Sequence, residues 1–205
     1  MEYNTLSLAF RSSKVDLNMY VRKIETFILT NILQNPEIDI FKSLNPDLLF
    51  DNHDEGINTD FIFSDLLGYS IRILIYSEYY SIDNTESERW FEFSILFRTS
   101  DLAKDKIHDD YLMSDFKYSD KSKQVIKSLA EELFKAFPDS YVLFANEYQN
   151  ACVSDAIELS DQGEYYSIEF EYAVIPLNEH THKFETSDSF FDKDGYRIIC
   201  CKEFE

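Results

Sequence analysis

Apolar and polar residues alternate from Tyr3 to Arg11, placing Leu6, Leu8 and Phe10 on one face, the period of a strand with one buried side. The period then lengthens. Leu17, Tyr20, Val21, Ile24, Phe27, Ile28 and Ile32 recur at helical spacing, and Ser13 with Asp16 three residues on reads as a start resembling a capping box. Pro36 ends that helix at about Gln34, since the residue before a proline resists the α region.

Residues 36–66 break the pattern with Asn45-Pro46 and with the run Asp51-Asn52-His53-Asp54-Glu55-Gly56. Leu48, Leu49, Phe50, Phe61 and Phe63 anchor this segment, so it reads as a docked loop region with short elements. Ile71, Ile73 and Ile75 alternate with Arg72, Leu74 and Tyr76, and Phe91, Phe93, Ile95 and Phe97 with Glu92, Ser94 and Leu96. These are two strands of an antiparallel hairpin, joined through the polar stretch Ser81–Glu88. Asp101–Tyr118 is ambiguous.

A second helix is predicted from about Asp120 to Ala136, with Val125, Leu129, Leu133 and Phe137 inward, Lys121, Lys123, Lys127 and Lys135 outward, and Pro138 stopping it. Tyr141–Asn146 alternates as a buried strand. From Glu164 to Ile175 the alternation puts Tyr166, Ile168, Phe170, Tyr172 and Val174 on one face of a further strand, and Pro176 bends the chain out. Asp192-Lys193-Asp194-Gly195 then joins strands Lys183–Phe191 and Tyr196–Phe204 as a hairpin. The expected fold over 1–205 is a single α+β domain: a mostly antiparallel sheet of about six strands with two principal helices packed on it.

Composition narrows the chemistry. The four glycines, Gly56, Gly68, Gly163 and Gly195, are too dispersed for a phosphate-cradling loop or a G-x-S-x-G nucleophile elbow, both of which need glycines close together. Cys152, Cys200 and Cys201 form no C-x-x-C. Adjacent cysteines on a strand point to opposite faces, so Cys200 and Cys201 are expected as free thiols in a reducing, cytoplasmic setting. No apolar run reaches membrane-spanning length. Carboxylate pairs are too common here to mark an acid/base couple, and neither a Cys152–histidine pair nor a Ser/His/Asp set carries a signature.

His180 and His182 are the metal candidates. On a strand both imidazoles would share a face about 6.7 Å apart, with Glu185 or Asp188 available as a third ligand. Asp188, Asp192 and Asp194 before Gly195 fail as a calcium loop, because its first position would fall on Phe190. No cofactor is expected.

Charge is the most informative feature. There are 39 acidic against 19 basic residues, a net charge of −20. Residues 36–66 hold eight acids and one base, and 139–205 hold fifteen acids and four bases. Nucleic-acid backbones and anionic membranes both require cationic surface, so neither is an expected direct partner. The expectation is a non-enzymatic cytoplasmic inhibitor that occludes a basic partner protein, a toxin or defence enzyme acting on nucleic acid. In general character this is the chemistry of immunity proteins and nucleic-acid mimics, although no stretch matches a family motif. Expected contact residues are Asp51, Asp54, Glu55, Glu164, Tyr165, Glu169, Glu171, Asp192 and Asp194. The alternatives are an enzyme or small-molecule- or metal-binding protein built around His180 and His182, and an assembly protein joined through aromatic strand faces.

Overall fold

The computed structural model describes residues 3–12, 17–32, 59–66, 69–82, 86–104, 116–146, 149, 151–163, 166–184 and 189–204. The Ser13 and Asp16 cap and the anchors Leu48, Leu49 and Phe50 lie outside them.

The alternation around Leu6 and Leu8 produces β1 (Tyr3–Ser12), and both edges of this strand find partners. On one side lies β4 (Glu86–Arg98), with Leu8 opposite Phe93; on the other lies β5 (Tyr141–Ala145), with Leu8 opposite Val142. Outward from β4 come β3 (Tyr69–Ile82) and then β2 (Thr59–Leu66). Outward from β5 come β6 (Tyr172–Pro176), β8 (Tyr196–Cys200) and finally β7 (Ser189–Lys193). The result is one eight-stranded antiparallel sheet, ordered β2-β3-β4-β1-β5-β6-β8-β7.

The α+β architecture is as expected, with eight strands rather than about six. β2 arises within the segment read as docked loop. The β3–β4 ladder continues to Ile82 opposite Glu86, well into the polar stretch expected to connect the two strands. Backbone pairing needs no apolar side chains, so a polar hairpin tip still satisfies its own N–H and C=O groups.

Helices α1 (Leu17–Asn31) and α3 (Asp120–Ala136) cover one face, separated in sequence by the one-turn α2 (Thr99–Leu102). α1 buries Tyr20, Ile24, Phe27 and Ile28 against Leu6, Leu8 and Phe91. α3 begins where Ser119 Oγ accepts the Ser122 N–H at 3.1 Å, an N-cap satisfying one of the helix's unpaired donors. Its inner face is Ile126, Leu129, Ala130, Leu133 and Phe134; Val125, expected inward, is only partly buried. The α3 lysines do not form a bare basic face. Lys121 Nζ sits 5.1 Å from the Tyr69 ring centre, Lys127 Nζ sits 5.9 Å from those of Tyr172 and Phe204, and Lys135 binds Glu132 at 2.6 Å.

A second core fills the opposite face. There α4 (Val153–Asp161) packs Val153, Ala156 and Ile157 against Ala9, Tyr141, Leu143, Ala173 and Ile175. Residues 166–170 join it, correcting the expected Glu164–Ile175 strand. The chain bends at Glu171, so Ile168 and Phe170 enter the second core while Tyr172 and Val174 enter the first. Both faces of the sheet are covered here, so a change of face costs no burial, and residues 166–170 pack in the second core without pairing as a strand.

Candidate interaction surface

Among the described residues β7 is the last strand of the sheet, and Asp194-Gly195 turns the chain into β8. Gly195 has φ +90°, a left-handed backbone that a two-residue hairpin loop requires and glycine adopts without penalty. The hairpin stands as expected but shorter. Lys183 lies in the 3₁₀ helix Thr181–Phe184 rather than in the first strand, described over Ser189–Lys193, and β8 stops at Cys200, after which Lys202–Phe204 turn as a 3₁₀ helix.

Successive residues of β7 point to opposite faces. Phe190 and Phe191 therefore emerge on both sides of the edge, each 52% exposed. Phe190 is backed by Arg197, whose guanidinium carbon lies 4.3 Å from the ring centre. The same guanidinium donates to Asp192 through Nε at 2.7 Å and Nη2 at 3.1 Å, and this hydrogen bonding holds the Asp192 carboxyl below the usual carboxylate range. On the other face the Lys193 ammonium, hydrogen-bonded to Tyr196 and lying 3.3 Å from Glu131, is held above the ordinary lysine range. Leu177 N donates to Gly195 O at 3.1 Å, which brings the exposed Leu177 and the turn carrying Glu179 beside the hairpin tip.

The chain after β6 turns because Pro176 offers no N–H and Asn178 supplies local bonds instead. Asn178 Oδ1 accepts His180 N–H at 2.9 Å, and Thr181 Oγ1 donates to Pro176 O at 3.0 Å. Asn178 Nδ2 donates to Tyr141 Oη at 2.9 Å. His180 thus sits in this turn and His182 in the 3₁₀ helix Thr181–Phe184, which overturns the shared strand face expected for the pair. A 3₁₀ turn advances about 120° per residue, so side chains two apart diverge. Among the described residues, no three His, Cys, Asp or Glu side chains gather as a metal site; Glu185 and Asp188 lie outside those residues.

Of the nine expected contact residues four are described, and these four fall in two separate places. Asp51, Asp54, Glu55, Glu164 and Tyr165 lie outside the described residues. Asp192 and Asp194 are exposed at the hairpin, while Glu169 is exposed and Glu171 half-buried beyond the other end of β8, roughly 20 Å away at strand rise. Glu171 is engaged within the protein. Its Oε1 accepts from Asn146 Nδ2 at 3.0 Å and Gln149 Nε2 at 3.1 Å, and its Oε2 accepts from the Cys201 thiol at 2.6 Å. Gln149 Oε1 in turn accepts the Asn146 N–H at 3.0 Å. This network ties the ends of β5 and β8 to the start of β6. All three cysteines are free thiols.

Phe190, Phe191 and Arg197 were not among the expected contacts. Their signal lay in the sequence: two adjacent phenylalanines on one strand must face both sides of the sheet, and only a strand covered on both sides could hide them. No protein-family model matches the chain, and no curated protein matches it in sequence. Among the described residues, no helix is long and apolar enough to cross a membrane.

Proposed function

We propose that this chain is an acidic protein-binding module that docks on a basic partner and occludes it, the partner being of the class of toxins or defence enzymes that act on nucleic acid. One observation carries the reading: Phe190 and Phe191 stand half exposed on an edge strand of a chain with net charge −20. Large aromatic side chains supply the desolvated anchors of protein interfaces, and a strong net field of one sign speeds encounter with a partner of the other. The acidic surface supplies the attraction and the aromatic pair the contact area. An inhibitor needs no catalytic group, only a surface held rigidly, and the two-sided core beneath the sheet supplies that rigidity.

The test is retention of a basic protein on the immobilised chain, at low and at high salt. A stoichiometric basic protein is expected at low salt, weakened by salt and by Glu169→Lys with Asp194→Lys, and lost with Phe190→Ser combined with Phe191→Ser. Glu171 is left intact because changing it breaks the network with Asn146, Gln149 and Cys201. Retention that ignores both salt and the phenylalanine changes would overturn the reading.

A further inference from the structure

Resting on that protein-binding reading, we propose that the free edge of β7 takes up an extended basic segment of the partner as an additional antiparallel strand. The hydrogen-bond directions identify which backbone groups would receive it. On the inner side of β8, Gly195 O accepts from Leu177 N at 3.1 Å and Cys201 N donates to Glu171 O at 2.9 Å. Odd-numbered residues of β8 therefore bond to β6, and Tyr196, Ile198 and Cys200 bond outward to β7. Their partners in register are Lys193, Phe191 and Ser189.

The N–H and C=O groups of Phe190 and Asp192 accordingly point away from the sheet, and no described strand pairs on that side. These four groups are spaced for one hydrogen-bonded strand segment. Side chains frame them on both faces, Phe190 and Asp192 on one and Phe191 and Lys193 on the other. Phe190 is held by Arg197, so one aromatic anchor is already ordered. A short edge this exposed is ordinarily protected by charge or proline. Here the only charges on β7 are those of Asp192 and Lys193, and both are already engaged, by Arg197 and Glu131.

Charge selects the occupant. The hairpin tip presents Asp194, the neighbouring turn presents Glu179 with an 82% exposed side chain, and the whole chain carries −20. A segment alternating Lys or Arg with β-branched residues would lay apolar side chains on the phenylalanines and cations towards these carboxylates. A second copy of the chain would bring the same net charge against itself.

The probe is an acetylated and amidated peptide of about ten residues alternating Lys and Val, titrated into the full-length protein. Binding should weaken with salt, and amide exchange at Phe190 and Asp192 should slow by about tenfold or more while Phe191, already paired to β8, is unchanged. Methylating the peptide backbone nitrogens along one edge should weaken binding about tenfold, and along the other edge should change nothing. Asp192→Pro removes one outward N–H and should weaken binding more than Asp192→Ala, which keeps it.

Absence of binding, or binding without slowed exchange at Phe190 and Asp192, would overturn strand addition. So would equal binding by the two methylated peptides. Protection that grows with protein concentration in the absence of peptide would place a second copy on the edge and overturn it as well. A basic protein still retained by the Asp192→Pro chain as strongly as by Asp192→Ala, yet lost with the phenylalanines, would leave the protein-binding reading standing and remove strand addition alone.

Discussion

Arg197 holds Asp192 across the β7–β8 hairpin through two hydrogen bonds, with only 13% of the arginine side chain exposed. The paired carboxyl titrates below its ordinary range, so its stabilising contribution is complete above the unfolded-state value and disappears as pH falls through the lowered folded value. Arg197→Ala should move the Asp192 midpoint up towards that of an ordinary aspartate, read by carbon-detected NMR titration. An unmoved midpoint would remove Arg197 as the cause.

Phe204 and Phe190 are the same residue type in opposite circumstances. Phe204 is 0% exposed, with ring centres of Tyr118 and Phe144 at 5.0 and 5.4 Å, whereas Phe190 is half exposed. Phe204→Ala should lower unfolding stability by about 3–5 kcal/mol, and Phe190→Ala by no more than about 0.5 kcal/mol, measured by urea denaturation. Comparable losses at both positions would mean that β7 is covered in solution.

Cys201 packs against the edge of the first core and also donates a hydrogen bond to Glu171. Cys201→Ser keeps a donor and should stay within about 0.5 kcal/mol of the parent, while Cys201→Val leaves Glu171 Oε2 without it and should cost about 1 kcal/mol. Equal stabilities for the two variants would show that the thiol contributes by volume alone.

The N-cap of α3 gives a local test. Ser119→Ala removes the acceptor for Ser122 N–H and should cost about 1 kcal/mol, with Ser119→Asp recovering most of it. No loss on substitution would mean that another acceptor serves the first turn.

Legibility in the sequence followed the length and symmetry of each pattern. α3 was readable over its full span because Pro138 ends a long periodic run, yet its inner stripe is rotated towards Ile126, Ala130 and Phe134. α4 escaped notice because nine residues offer only Val153, Ala156 and Ile157 as a repeat. The Glu164–Ile175 alternation misled for a different reason. With apolar layers on both sides of the sheet, nothing local distinguishes Phe170 in one core from Tyr172 in the other. Of the candidate surface, charge pointed to Asp192 and Asp194 but could not reveal that β7 lies at the edge, because β8 enters the sheet between β6 and β7. The engagement of Glu171 by Cys201, 30 positions away, was invisible for the same reason: it depends on which strands become neighbours.

The central position of β1 sets the tempo at which this molecule can form. Leu6 pairs with Ile95 on one side and with Phe144 on the other, so the middle of the sheet closes only after two long excursions of chain have been brought back. Adjacent pairings such as β3–β4 can form within about 10 μs, whereas domains dominated by such non-local pairings fold in the range of milliseconds to seconds. β1 is the only described strand that joins the three strands on one side of it to the four on the other, so every backbone pairing between the two halves of the sheet passes through it.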